Sequence, residues 1–122
     1  MTAAPTLAFP TDEDRFQVEA DSSDFATGAV LSQLPQGIWK PVAYMSKALN
    51  EVERNYEVHD KEMLAIMRAL GEWRQYLQGA RQSFEIWTDH KNLEYFMTAR
   101  KVNHQQARWS LELADYDFLL QH

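Results

Sequence analysis

The chain has 122 residues, 45% of them hydrophobic and 25% charged, a size and balance that suit one globular domain around one core and leave no room for a second. Cysteine is absent, which excludes disulfides and thiolate metal sites and confines any metal to oxygen or imidazole ligands. No apolar run approaches the roughly 20 residues of a membrane span, and the opening Met1-Thr2-Ala3-Ala4-Pro5 lacks the basic-then-apolar layout of a signal peptide, so the expectation is an intracellular protein with no membrane partner.

The net charge of −6 argues against binding nucleic acid by bulk attraction to phosphate; any such contact must be local. Positive charge gathers late, in Arg100, Lys101 and Arg108 with His104 between them. Residues 1 to 14, with Pro5, Pro10 and the run Thr11-Asp12-Glu13-Asp14, read as an arm, and 15 to 122 as the domain. From Phe16 the chain alternates, with Phe16, Val18 and Ala20 on one face and Gln17, Glu19 and Asp21 on the other, the pattern of a strand with one buried face. Ser22, Ser23 and Asp24 are expected to turn the chain. A second strand is expected over Gly28 to Gln33, a hairpin connection at Pro35-Gln36-Gly37, and a third strand over Ile38 to Met45, which Pro41 places at a sheet edge. Asn50 and Glu53 have capping-box spacing and open a helix predicted to continue to about Gln78, with Gly79 ending it. Ser83 to Thr88 is β-rich, with Asp89 directly at its carboxyl end. Leu93 to Met97 and Gln105 to Ala114 read as helices and Tyr116 to Gln121 as a last strand. This order implies an α/β fold, a mixed five-stranded sheet with helices on its faces, whose ligand chemistry gathers at the carboxyl ends of parallel strands.

Three carboxylates stand out. At 100° per residue, Val58, Ile66, Ala69 and Trp73 fall within about 40° of Glu62, so Glu62 lies inside the apolar stripe of its helix. Glu53, Glu57 and Asp60 project from roughly the opposite side and Glu72 from the flank, as solvated acids do. An ionised carboxylate turned toward a sheet needs a cation or hydrogen bonds. Two readings stand for it: a structural one, as a pair with Arg68 or Arg108 or a place at the rim of the stripe, and a functional ligand. Asp21 equally begins a turn or a site, and Asp89 equally caps a helix or joins one. Taken together, Asp21, Glu62 and Asp89 form an oxygen-rich set suited to Mg²⁺ or Mn²⁺. Two such ions, about 4 Å apart, activate a water and steady the leaving oxygen of a phosphoryl displacement.

Four segments in order, Val18-Glu19-Ala20-Asp21-Ser22-Ser23-Asp24-Phe25-Ala26, Gly28-Ala29-Val30-Leu31-Ser32-Gln33, Asp60-Lys61-Glu62-Met63-Leu64-Ala65-Ile66 and Trp87-Thr88-Asp89-His90-Lys91-Asn92-Leu93, resemble the ribonuclease H domain of gypsy-type LTR-retrotransposon reverse transcriptases. The likeness runs from about Leu7 to His122. It implies the RNase H-like fold, and metal-dependent cleavage of the RNA strand of RNA–DNA hybrids by a part of a polyprotein that also carries a polymerase domain, in a cytoplasmic particle or the nucleus. Asp21, Glu62 and Asp89 fall on the family's first three catalytic carboxylates. The family carries a fourth catalytic aspartate shortly after the last strand, which this sequence stops short of at His122, so the chain as it stands is expected to be weak or inactive; Asp115 and Asp117 match the lead-in to that strand instead. The resemblance places His122 where an auxiliary Tyr or His stands. A hybrid is read through its minor groove, 2′-hydroxyls and phosphates, which makes Ser23, Asn92, Arg100, Lys101, Asn103 and Arg108 candidate contacts. Trp87, Trp109, Tyr95 and Phe96 are expected in the core. The alternative is a non-catalytic module of the same fold that packs on a polymerase domain or binds nucleic acid without cutting it.

Overall fold

The computed structural model describes residues 11, 14–34, 37–79, 82–88 and 104–121. The alternation at its start builds β1 (Phe16–Ser22), which pairs antiparallel with β2 (Ala26–Gln33), itself antiparallel to β3 (Lys40–Ala48). After the helices α1 (Glu51–Arg54), α2 (Val58–Glu72) and α3 (Arg74–Leu77), β4 (Phe84–Trp87) adds parallel to β1, and β5 (Phe118–Gln121) adds parallel to β4 after α4 (His104–Leu113). The sheet order is β3-β2-β1-β4-β5, the mixed five-stranded arrangement expected. Pro41 lies on the edge strand, opposite Ser32 and beside the register shift between Leu31 and Ser32, a place that tolerates a residue without an N–H. Gly37 takes a positive φ of 81°, a conformation that favours glycine; Pro35 and Gln36 of the expected hairpin connection lie outside the described residues. The expected helix at 93–97 lies outside the described residues.

One face of the sheet carries the core. Phe16, Val18, Ala29, Leu31, Phe84 and Ile86 meet Leu64, Ile66, Ala69, Leu70 and Trp73 from α2 and its end, Leu77 from α3, and Trp109 and Leu113 from α4. The opposite face, set by the pairing of Gln17 with Glu85 and Glu19 with Val30 and Trp87, is mostly polar and only partly covered. Trp87 belongs to that face and not to the core expected for it, whereas Trp109 is buried. At the end of β2, buried Gln33 fastens the entering chain: its Oε1 accepts from the Thr11 amide at 2.8 Å and its Nε2 donates to the Thr11 and Asp14 carbonyls.

Two expectations need correction. The helical stretch from Asn50 is three helices, not one. The capping box forms as predicted, with Asn50 Oδ1 accepting from the Glu53 amide and Glu53 Oε1 accepting from the Asn50 amide. However, the Asn55 side chain donates to the Glu51 carbonyl at 3.2 Å, competing with the backbone pattern, and Glu57 is extended, so the helix restarts at Val58. Glu53, on the near side of that break, is consequently not a solvated acid: it is half-buried and paired with Arg68, Oε1 to Nη2 at 2.7 Å, while Arg68 Nη1 reaches Thr27 Oγ1 at 2.9 Å. Strand limits shift as well. β2 starts at Ala26 and β3 runs to Ala48, because Ala26 pairs with Ala48, and Ile38 stays exposed outside β3. No described helix is long and apolar enough to cross a membrane.

Gly71 sits in the last turn of α2, and a Cβ there meets nothing within 4 Å. Gly71→Ala should therefore stabilise the domain by about 1 kcal/mol, raising Tm by roughly 4 °C in a thermal melt. Arg68→Ala should cost about 2 kcal/mol in urea titration, because the half-buried Glu53 would lose its charged hydrogen-bond partner.

Candidate active site

The parallel pairing of β1 with β4 brings their carboxyl ends to one edge of the sheet, so Asp21 and Thr88 line the same shallow depression of about 570 Å³ together with Glu19, Gly28, Val30, Tyr44 and Trp87. Asp21 is exposed there. From the other face α2 lies across β1 and β2, and its buried arc of Ala65, Ile66, Ala69 and Leu70 turns Glu62 toward the end of β1. The helical wheel thus aimed Glu62 correctly, although Val58, counted in the same stripe, is exposed at the helix start. Arg68, one of the two cations considered for Glu62, is engaged with Glu53 instead.

Between the two carboxylates stands Ser22. Its hydroxyl donates to Glu62 Oε1 at 2.6 Å, and its amide donates to Asp21 Oδ1 at 2.8 Å and to the same Glu62 oxygen at 3.2 Å. Asp21 and Glu62, forty-one positions apart in the chain, are neighbours that share one N–H. Ser22 was expected in the turn. It is the last residue of β1, on the same face as Phe16, Val18 and Ala20, and the period of two that identified that face also carries it toward α2.

The turn itself begins at Ser23. The Ser23 amide donates to the Ala26 carbonyl at 2.8 Å, and its hydroxyl oxygen accepts from the amides of Phe25 and Ala26. Ser23 therefore lies beside the pair with its hydroxyl engaged in the turn. Lys61, buried next to Glu62 in sequence, holds the turn through Asp24 at 3.7 Å. Arg108 is exposed on α4. Asp89, Asn92, Arg100, Lys101, Asn103 and His122 lie outside the described residues, as do Tyr95 and Phe96. Among the described residues no three carboxylate or imidazole groups converge as a metal cluster. The chemistry of the pair nonetheless fits a hard divalent cation: two adjacent carboxylates, oxygen donors only, reachable from solvent on the Asp21 side.

The model of the RNase H-like domain found in reverse transcriptase matches residues 11–116. The retrovirus-related Pol polyprotein from transposon opus of Drosophila melanogaster is 39% identical over 117 residues, covering 96% of this chain, which spans only 12% of that relative. The foamy viral protease-reverse transcriptase solved with dsDNA superposes with a TM-score of 0.72 at 16% identity, over 96% of this chain and 25% of that one. The same kind of protein solved with an RNA/DNA hybrid gives 0.63 at 18% identity, over 89% of this chain and 15% of that one. At these identities the superpositions speak for the fold.

Glu62→Gln preserves an acceptor for both Ser22 donors. Its metal-free Tm should stay within about 3 °C of the parent, and Mn²⁺ is expected to raise the Tm of the parent but not of Glu62→Gln, as checked by melts across a metal titration.

Proposed function

The chain belongs to the RNase H-like domains found in reverse transcriptases, of the gypsy type carried by LTR retrotransposons, and on that premise we propose that it is the portion of a retrotransposon polyprotein that hydrolyses the RNA strand of RNA–DNA hybrids with Mg²⁺ or Mn²⁺. The observation that supports this most is the Asp21–Glu62 pair, joined through Ser22 at the carboxyl end of a parallel strand. A purely structural domain has no use for two acids set side by side at a strand end, where their repulsion works against folding.

In this reading Asp21 and Glu62 hold the ions, with Asp89 as a third ligand and two ions in the complete site. A divalent cation held by these carboxylates would supply activation of a water and charge stabilisation at the leaving oxygen. The carboxylates act as ligands and not as nucleophiles. Ser23 and Arg108, with Asn92, Arg100, Lys101 and Asn103, would contact the sugar-phosphate backbones of the hybrid locally, as the overall charge of −6 requires. His122 would act as an auxiliary group near the reacting phosphate. An adjacent polymerase domain in the same polyprotein is the expected protein partner, and the setting is intracellular.

The test is cleavage of a hybrid carrying a labelled RNA strand, by a version extended past His122, in Mg²⁺ or Mn²⁺. The RNA strand should be cut and the DNA strand left whole, and Asp21→Asn or Glu62→Gln should lower the rate by about 100-fold or more, as the loss of a metal ligand in a two-ion site implies. An extended protein that is folded and metal-loaded yet leaves the RNA intact would favour the non-catalytic module.

A further inference from the structure

The strand period delivers Ser22, and not a turn residue, to the junction of β1 and α2, and there it touches both acids. We propose that Ser22 is a positioning residue of this site, holding Glu62 and Asp21 at ligand spacing before a cation arrives; the inference rests on reading those two acids as metal ligands. Three features carry it. The 2.6 Å separation of the Ser22 hydroxyl from Glu62 Oε1 is that of a hydrogen bond strengthened by a charged acceptor. The Ser22 amide is divided between the two acids, so a single backbone group sets where one carboxylate lies relative to the other. Finally, the donor is itself held rigidly. Ser22 pairs with Thr27 across the hairpin, and Thr27 is secured by Arg68, which is in turn fastened to Glu53.

The chemistry explains why a hydroxyl suits this position. Two ionised carboxylates at close range repel each other, and a neutral donor offsets part of that repulsion without introducing a full positive charge to compete with the incoming cation. Hydrogen bonds to ligating carboxylates are the supports that orient metal ligands, and their loss weakens metal binding by tenfold or more.

Mn²⁺ binding to the 122-residue chain, followed by Mn²⁺ electron paramagnetic resonance, tests this with Asp21→Asn, Ser22→Ala and Ser22→Thr beside the parent. Ser22→Ala should bind Mn²⁺ roughly 10-fold more weakly, with a metal-free Tm close to the parent's, and Ser22→Thr, which restores the hydroxyl, should recover most of the affinity. Equal affinity of Ser22→Ala and the parent overturns the inference, as does a Ser22→Thr chain as weak as Ser22→Ala. A Ser22→Ala chain that melts far below the parent assigns Ser22 to folding and overturns it too. If Asp21→Asn binds Mn²⁺ no differently from the parent, the metal-site reading itself fails and takes the inference with it.

Discussion

Burial of the apolar arc of α2 across β1 and β2 constrains everything near the site. Ala69 and Leu70 on the helix, and Val18 and Leu31 on the strands, are fully buried, so the helix cannot rotate about its axis without drawing these side chains into water. Glu62 inherits its direction from them. A carboxylate by itself would be drawn to solvent; here the hydrophobic residues on either side of it in the helical wheel decide where it points. The site is in this sense a by-product of core packing, and its geometry is as rigid as the core.

The sheet supplies the second half of that geometry. Parallel pairing of β1 with β4 aligns strand ends that are far apart in the chain, and the antiparallel hairpin to β2 brings the Ser23 turn beside them. The turn is held by Ser23 itself and by buried Lys61 reaching Asp24, while the Glu53–Arg68–Thr27 link ties α1, α2 and β2 together behind it. Within this frame the close approach of Asp21 and Glu62 is unfavourable in itself. The Ser22 hydroxyl and amide offset part of that cost.

Where reasoning from residues succeeded, a strong period was at work over a continuous element. The alternation from Phe16 to Asp21 located β1 and both its faces, and the 3.6-residue period from Glu62 to Trp73 aimed Glu62. It failed at breaks. Nothing between Asn50 and Gln78 is a proline, yet Asn55 and Glu57 interrupt the helix through a side-chain bond and an extended backbone. A wheel drawn through that interruption put Glu53 in solvent, when it is half-buried and paired with Arg68. Ser22 was misread for a related reason: Ser and Asp favour turns in general, but the strand carries one residue further before the turn begins.

The chain's own pattern determined the succession of the strands, the edge position of β3, the capping box at Asn50 and the inward aim of Glu62, since each depends on local periods or short-range chemistry that neighbouring residues specify. Tertiary structure alone decided that Asp21 and Glu62 meet, that Ser22 stands between them, and that Arg68 goes to Glu53 rather than to Glu62. These are contacts between residues distant in sequence. Their partners are chosen by the register of strand pairing and by which faces the core buries, and no local pattern encodes that choice.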